Sequence, residues 1–299
     1  SPVDVRIDDF ALCPRYSALV FENVRVQPSP LWLQYRLQSI GLNPINNIVD
    51  VTNFILAEIS QPMHAFDAAA LEGGTIVVRR ARQGEKIVAL NKELYELDET
   101  NLAITDRRGP VAIAGVIGGL DTGIVDTTTR VVLESANFHA SNIRRTTVKL
   151  KLRTDASIRY EKSQDPVNTV RGLARAVELF EMVSPGIRIA GGLEDCRKEF
   201  PAPKPITLPM DWLVRKLGRP IEPAQVRDIL ESLDFGVSQA SPGVFSVSVP
   251  SWRATRDVSI KDDLVEEIGR MVGYDTIPPR APLLPARVPP ANEERKFHH

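Results

Sequence analysis

Two clusters of proline divide the sequence and limit how it can fold. The first lies between Pro201 and Pro209, and the second, between Pro278 and Pro290, has six prolines in thirteen residues. Proline lacks a backbone N–H donor and disfavours helix at the residue before it, so such clusters are typical of linkers and extended tails. We therefore predict a large domain at 1–200, a small domain at 201–277 and a proline-rich tail or linker at 278–299.

Composition narrows the class of protein. The 299 residues suffice for about two domains, and Lys plus Arg (37) balance Asp plus Glu (38), which excludes a wholly basic coat protein for nucleic acid but allows a local basic face. Cys13 and Cys196 are too few for a disulfide framework or a structural zinc site. The longest apolar run, 111–120, is too short to span a membrane. We expect a cytoplasmic protein with no membrane partner.

The two ends of the chain indicate an excised piece of a larger protein. The chain opens on Ser-Pro-Val rather than Met and closes on His298-His299, which we interpret as the stub of a purification tag.

Hydrophobic periodicity predicts an α+β fold, with a mixed α/β large domain whose centre is largely β. Helical spacing or caps occur at 30–41, at 46–55 and after Asp165-Pro166, whereas short β-branched runs occupy 75–78, 86–90, 102–105, 111–117 and 130–133. In the small part, helices are predicted at 211–217, 222–233 and 260–272, and one strand at 244–249. That order favours a small helical domain of winged-helix type.

The sequence carries no signature of a nucleotide triphosphate site or of a hydrolase nucleophile. It has no G-x-x-x-x-G-K-[ST] loop, no G-x-G-x-x-G after a strand, no G-x-S-x-G elbow and no H-E-x-x-H motif. If the parent protein uses ATP, we expect another part of it to bind the ATP.

Three segments carry candidate site residues. Asn53 and His64 are polar groups beside an apolar helix face, and their alternative readings are a cap and a satisfied core histidine. The glycine-spaced run 112–119 permits close approach of a ligand or, equally, of another backbone. Glu134 follows an apolar run, where a carboxylate is either paired or functional because unpaired burial is costly.

A basic stretch at 141–162 is a candidate phosphate-binding surface. It has seven Lys or Arg against two acidic residues, in a chain whose net charge is −1, although a solvated charged face explains it equally well. Within it, Thr154 and Ala156 lie two residues apart and share a face if the chain is extended there.

Four carboxylates near the end of the small part form a candidate metal site. Asp263, Glu266 and Glu267 recur at i, i+3 and i+4 on one helix face, and Asp257 precedes them by six residues. Oxygen ligands suit magnesium, whereas a solvated acidic face is the alternative. The same acidic helix disfavours a winged-helix regulator that binds DNA, because phosphate would repel it.

The chain resembles the editing region of the bacterial phenylalanyl-tRNA synthetase beta chain and the helical domain that follows it. The resemblance covers residues 10–280, and its motifs lie at 46–54, 61–67, 114–119, 133–135, 152–157, 159–161, 165–166, 249–253, 263–267 and 273–278. It implies a parent enzyme that attaches phenylalanine to tRNA(Phe) with ATP and magnesium, as an α2β2 heterotetramer whose aminoacylation site belongs to the α subunit. This part would instead hydrolyse tyrosine that is misattached to tRNA(Phe).

The same resemblance implies roles for individual residues. Catalytic roles would fall to His64, Asn53 and Glu134, of which His64 and Asn53 would position water or the terminal ribose. The Glu134 carboxylate would accept a hydrogen bond from the tyrosine hydroxyl. The substrate pocket would be formed by Gly118, Glu134, Thr154 and Ala156.

The resemblance also implies a shared metal site, and one position departs from the pattern of the family. Asp257, Asp263, Glu266 and Glu267 would be magnesium ligands shared with the α subunit, so we expect weak or no magnesium binding by this chain alone. Asn43 stands where the family usually has Arg, and Asn lacks the charge and fork geometry of Arg. The alternative function is therefore a non-catalytic scaffold that binds tRNA(Phe) and the α subunit, with weakened editing.

Overall fold

The structure is a computed structural model that describes residues 2–199, 203–279, 281 and 285. The terminal histidine pair and most of the predicted tail at 278–299 lie outside these residues.

The strands are β1 (Asp4–Ile7), β2 (Arg15–Glu22), β3 (Met63–Asp67), β4 (Thr75–Arg80), β5 (Glu85–Val88), β6 (Leu94–Leu97), β7 (Leu102–Thr105), β8 (Pro110–Ile113), β9 (Ile117–Gly118), β10 (Arg130–Asn137), β11 (Arg188–Ile189), β12 (Glu194–Arg197), β13 (Ile206–Pro209), β14 (Gly236–Ser241) and β15 (Val244–Ser248). The α-helices are α1 (Leu31–Ser39), α2 (Asn47–Ile59), α3 (Ala140–Leu150), α4 (Asp155–Tyr160), α5 (Asn168–Val183), α6 (Met210–Leu217), α7 (Pro223–Ser232) and α8 (Lys261–Val272).

The chain divides into two compact units. Within the described residues, the first unit holds the chain up to residue 204 together with 249–259, and the second holds 205–248 and the chain from residue 260. The mixture of several sheets with helices confirms the α+β class that the sequence predicted.

Two sheets form the centre of the first unit. One has the order β1-β4-β7-β8-β9, and the other has the order β11-β2-β10-β3, with β12 also pairing with β2. Strand β10 lies between β2 and β3 and is antiparallel to both. All of its residues except Arg130 are buried, so both faces of this strand are covered.

The two faces of β10 contribute to different cores because side chains alternate along a strand. Val132 and Ala136 pack into a cluster shared with the first sheet, which also holds Tyr16 and Phe66. Leu133 and its neighbours on the opposite face pack against α1, α2 and α5. Glu134 falls on the same face as Val132 and Ala136, so the fold directs this acid between the two sheets.

The second unit combines three antiparallel strands with α6, α7 and α8. Its strand order is β13-β15-β14, and its buried side chains include Leu208, Leu213, Val226 and Leu264. The sequence pattern located the three helices but found one strand where the described residues have three. Strand β14 is largely exposed and rich in serine, so it lacks the apolar alternation that marks a strand.

In the first unit, the run predicted as one strand at 111–117 is interrupted. Strand β8 ends at Ile113, and the chain turns before β9 begins at Ile117. Gly115 allows this turn because its φ is +67°, in the left-handed region that glycine tolerates. No helix in the described part of the chain is long and apolar enough to cross a membrane.

Candidate functional site

A small cavity in the first unit brings together four of the residues that the sequence predicted for the site. This cavity, called the Glu134 cavity below, has a volume of about 70 Å³. The four predicted residues in its wall are His64, Gly118, Glu134 and Ala156. The other residues of the wall are Pro62, Met63, Ile104, Ala112, Ile113, Gly115, Val116, Ile117 and Tyr160. The wall is therefore mostly apolar, with an imidazole and a carboxyl group on adjacent strands.

Glu134 is buried in the middle of β10 and has one hydrogen-bond donor close to it. Only 4% of the residue is exposed, and the Tyr16 hydroxyl donates to its Oε2 atom at 3.2 Å. Burial disfavours the charged carboxylate more than this hydrogen bond favours it, so the pKa of Glu134 rises to about 8. At neutral pH Glu134 is mostly a carboxylic acid, which offers the cavity a donor as well as an acceptor. The resemblance had implied a carboxylate acceptor.

His64 lies directly opposite Glu134 because β3 and β10 pair with these two residues in register. Its ring meets the Phe66 ring edge-on, with centroids 4.4 Å apart. The Nε2 atom is buried and has no hydrogen-bond partner among the described residues. Burial lowers the pKa of His64 to about 4, so the imidazole is neutral at pH 7. The His64 side chain therefore has an unused hydrogen-bonding position at the cavity.

Gly118 lets the backbone of β9 lie against the His64 ring. A Cβ atom added at residue 118 would overlap Cε1 of His64 and lie 2.5 Å from Nε2. Such contacts are far inside van der Waals distance, so a side chain at this position would displace the imidazole. Glycine at 118 is needed for the cavity to keep its present shape.

Ala156 and Thr154 belong to the start of α4 rather than to an extended segment. Thr154 is the N-cap: its Oγ1 accepts from Ser157 N at 3.2 Å and donates to the Val116 carbonyl at 2.7 Å. The chain is not extended here, which was the condition under which Thr154 and Ala156 would share a face, because this cap starts a helix at Asp155. Ala156 lines the cavity, whereas Thr154 contacts it through Val116.

Asn53 does not join the other residues. It lies on α2, which packs against α5 and β3, and it is not part of the cavity wall. No hydrogen bond of its side chain is found within the described range of the chain, and its surface is half-buried. Asn53 is thus outside the cavity wall that His64 and Glu134 share.

Two tyrosines to which the sequence analysis assigned no role belong to the site. Tyr16 is the donor to Glu134. Tyr160 lines the cavity, and its hydroxyl donates to the Ala136 carbonyl at 3.0 Å, with the Pro62 carbonyl at 3.2 Å as a second acceptor within reach. Nothing in the local pattern around Tyr16 marks it, because it reaches Glu134 only through the pairing of β2 with β10.

The volume of the Glu134 cavity limits what it accepts. An apolar cavity of about 150 Å³ holds a benzene ring, whereas the Glu134 cavity measures about 70 Å³. A phenol-sized group therefore enters only if part of the wall moves. Met63 and Ile117 are half-buried, and the unbranched Met63 side chain adapts its shape readily.

The four predicted metal ligands are divided between the two units. Asp257 belongs to the first unit, whereas Asp263, Glu266 and Glu267 lie on α8 in the second. Glu267 is buried and pairs with Arg270 at 2.8 Å, and the Asp263 side chain accepts from the Ile260 N–H at 3.0 Å. Within the residues that the structure describes, no group of three or more His, Cys, Asp or Glu side chains is arranged to hold a metal ion. This arrangement does not fit a magnesium site built by this chain, and the site shared with a partner stays a prediction.

Comparisons with known proteins divide the chain before residue 206, near the point where the second unit begins. The family model described as the B3/4 domain matches residues 12–185, and the one described as the tRNA synthetase B5 domain matches residues 206–274. The phenylalanine–tRNA ligase beta subunit of Solibacter usitatus is 69% identical over 297 residues, which are 99% of this chain and 39% of that protein.

More distant relatives carry the same name. The phenylalanine–tRNA ligase beta subunit of Porphyromonas gingivalis is 41% identical over 93% of this chain and 34% of its own length. A solved N-terminal fragment of the phenylalanyl-tRNA synthetase beta subunit from Pyrococcus horikoshii has a TM-score of 0.44 and 15% identity, over 92% of this chain and 75% of that fragment. The chain spans little more than a third of the length of these curated relatives.

Proposed function

Because the chain belongs to the B3/4-domain family of phenylalanine–tRNA ligase beta subunits, we propose that its Glu134 cavity hydrolyses tyrosine misattached to tRNA(Phe). The observation that carries the proposal is the pair of neutral polar side chains, Glu134 and His64, that face each other in one small apolar cavity. A phenol ring suits such a wall, and its hydroxyl suits the carboxyl group.

The need for a second site follows from the chemistry of phenylalanine. A synthetic site shaped for an apolar ring rejects an isostere with one added hydroxyl only on the order of 100-fold. A second site that hydrogen-bonds the hydroxyl selects tyrosine, since phenylalanine would leave a buried polar group unpaired. Glu134 supplies this polar group, and Tyr16 holds its other oxygen.

Water is the nucleophile in this proposal. Among the described residues, the cavity wall contains no serine, threonine or cysteine that could attack the ester. The neutral His64 imidazole, whose Nε2 has no partner within the described chain, would hold or orient the water. Entry of the ring requires Met63 or another wall residue to move, because the cavity is smaller than a phenol.

The wider activity of the parent protein is part of the same proposal. The beta subunit would assemble with an α subunit as an α2β2 heterotetramer in the cytoplasm and attach phenylalanine to tRNA(Phe). ATP and magnesium would serve the aminoacylation reaction outside this chain. Asn53 has no role in the hydrolysis proposed here, because it is not part of the cavity wall.

The test is release of tyrosine from mischarged tRNA(Phe) by the assembled tetramer. We expect His64→Ala and Glu134→Ala each to lower the hydrolysis rate about 100-fold or more, while the exposed Glu96→Ala variant keeps it. Hydrolysis that is unchanged in both cavity variants would refute the proposal. Wild-type protein that binds tRNA but releases no tyrosine would favour the non-catalytic scaffold, for which the small cavity and Asn43 are the arguments.

A further inference from the structure

The first unit has a groove with several basic residues in its lining, in two parts. One part, of about 450 Å³, is lined by Arg144, Lys151, Arg153 and Lys162 among others. A second part, of about 510 Å³, includes Lys162, Arg171, Trp252 and Arg256. Lys162 lines both parts, and we call the two together the basic groove.

The acidic residues of the basic groove already have partners within the chain. Glu161 accepts from the Thr147 hydroxyl at 3.0 Å, Asp165 accepts from Ser251 at 2.7 Å, and Asp257 pairs with Arg253. The six Lys and Arg residues in the lining of the groove outnumber these three carboxylates, so the groove has a net positive charge.

Four cations of the groove are free to bind a ligand. Arg144, Lys151, Lys162 and Arg256 are exposed, and none of them has an ion pair in the part of the chain that the structure describes. A groove lined by cations that lack internal partners attracts a polyanion, and its field is strengthened because the walls exclude water.

The groove also presents an aromatic surface. Trp252 is 44% exposed, and the Arg171 guanidinium lies 4.9 Å from its ring centroid. A large exposed aromatic ring beside cations is the arrangement on which nucleic-acid bases stack, whereas an acidic peptide would need the cations alone. The Trp–Arg pair therefore favours single-stranded RNA over an acidic protein segment.

Residues that line the groove are near neighbours in sequence of residues that line the cavity. Ser60 lines the groove and Pro62 lines the cavity, and Tyr160 of the cavity precedes Lys162 of the groove by two residues. Two residues span at most about 7 Å of extended chain. The lining of the groove and that of the cavity are therefore close to each other along the chain.

We propose that the basic groove binds a single-stranded RNA end, with phosphates on Lys162 and its neighbouring cations and one base stacked on Trp252. The proposal rests on the proposed function for the identity of that RNA, which is the acceptor end of tRNA. The nucleotides in the groove hold the ester end at the Glu134 cavity.

The test measures binding of this chain to a fluorescein-labelled single-stranded RNA of about twelve nucleotides, a length within the range of known single-strand sites. We expect Trp252→Ala to weaken binding about tenfold. We expect Lys162→Ala to reduce the slope of log K against log salt by about 0.7, the contribution of one phosphate contact. Trp32→Ala and Arg36→Ala remove an exposed tryptophan and an exposed arginine outside the groove and serve as matched controls.

A fluorescence measurement protects the test from variants that fold poorly. The chain has three tryptophans, so a Trp32→Phe/Trp212→Phe variant reports on Trp252 alone. Stacking of a base predicts quenching of this signal on addition of RNA. The proposal would be overturned if the Trp252→Ala and Lys162→Ala variants bound RNA as the wild type does and RNA did not quench the Trp252 fluorescence. Competition by a poly-glutamate peptide as strong as that by RNA would assign the groove to an acidic protein instead.

The two proposals fail in different ways. If Trp252→Ala weakens RNA binding but the wild-type tetramer releases no tyrosine, the groove stands and the hydrolytic function fails. If tyrosine is released while the groove variants bind RNA as the wild type does, the hydrolytic function stands and the groove is refuted.

Discussion

At the scale of single residues, burial shifts the pKa values of Glu134 and His64 in opposite directions. The pKa of Glu134 rises to about 8 and that of His64 falls to about 4, because burial disfavours the charged form of each. Both side chains are therefore neutral near pH 7. A neutral pair avoids the cost of placing charges between two sheets and still offers hydrogen bonds to a ligand.

These shifts predict how stability depends on pH. Between pH 4.5 and 8 the unfolded chain ionises Glu134 while the folded chain keeps its proton, so the free energy of unfolding falls as pH rises. His64 acts in the opposite direction between pH 4 and 6.5, because its folded pKa is lowered. From pH 6.5 to 8 only Glu134 of these two residues still differs in protonation between the folded and unfolded chain. We expect it to lower the free energy of unfolding by about 1.4 kcal/mol per pH unit in this range.

Urea unfolding at several pH values measures this contribution. Glu134→Gln retains an acceptor for Tyr16 but does not titrate, so the difference from the wild type should show the fall between pH 6.5 and 8. Glu96→Gln, at an exposed position with 62% side-chain exposure, is the control and should follow the wild type. A constant difference across this range would contradict the raised pKa of Glu134.

Gly118 allows a second prediction at this scale. Gly118→Ala puts a methyl group onto the His64 ring, and we expect it to lower the free energy of unfolding by about 1–3 kcal/mol, the usual cost of overpacking. Gly192→Ala is a matched control, because nothing lies within 4 Å of its added Cβ. Equal stability of the two variants in urea would show that the imidazole moves away without cost.

At the scale of elements, α4 is placed by its cap. Thr154 and Ser157 form a reciprocal capping box, and Thr154 also bonds to the Val116 carbonyl in the β8–β9 turn. The same side chain thus starts a helix and fixes the turn that lines the cavity. Its contribution to the site is positional, since Thr154 is outside the cavity wall.

Removal of this cap has a predictable cost. We expect Thr154→Ala to lower the free energy of unfolding by about 1 kcal/mol. Thr154→Ser should lower it much less, because serine keeps the hydroxyl that caps the helix. Chemical denaturation of the three proteins makes the comparison. A serine variant as unstable as the alanine variant would show that the methyl group matters and the hydroxyl does not.

At the scale of the whole molecule, the carboxylates of α8 predict no tight metal site. The Glu267 carboxylate is engaged by Arg270, and Asp263 accepts a backbone N–H. We expect titration calorimetry of this chain with magnesium to give weak heats or none, unchanged by Glu266→Ala. A tight isotherm that this variant abolishes would contradict the expectation.

Much of the architecture follows from local pattern. The β-branched run at 102–105 coincides with β7, and the spacing at 30–41 contains α1. Strand β1, strand β12 and helix α3 escaped notice, because short or strongly charged segments give little periodic signal. The resemblance to the synthetase beta chain, which the comparisons confirm, came from motifs in the sequence and not from periodicity.

The sequence by itself determined the α+β class, the family and the motif residues His64, Gly118, Glu134 and Ala156. Tertiary structure decided that these four meet in one cavity, that Asn53 stays outside it, and that Tyr16 is the partner of Glu134. The physical reason is the distance along the chain. Tyr16 and Glu134 are 118 residues apart, and only the pairing of β2 with β10 brings them within hydrogen-bond distance. No local pattern encodes the order of strands in a sheet or the burial that keeps a carboxyl group protonated.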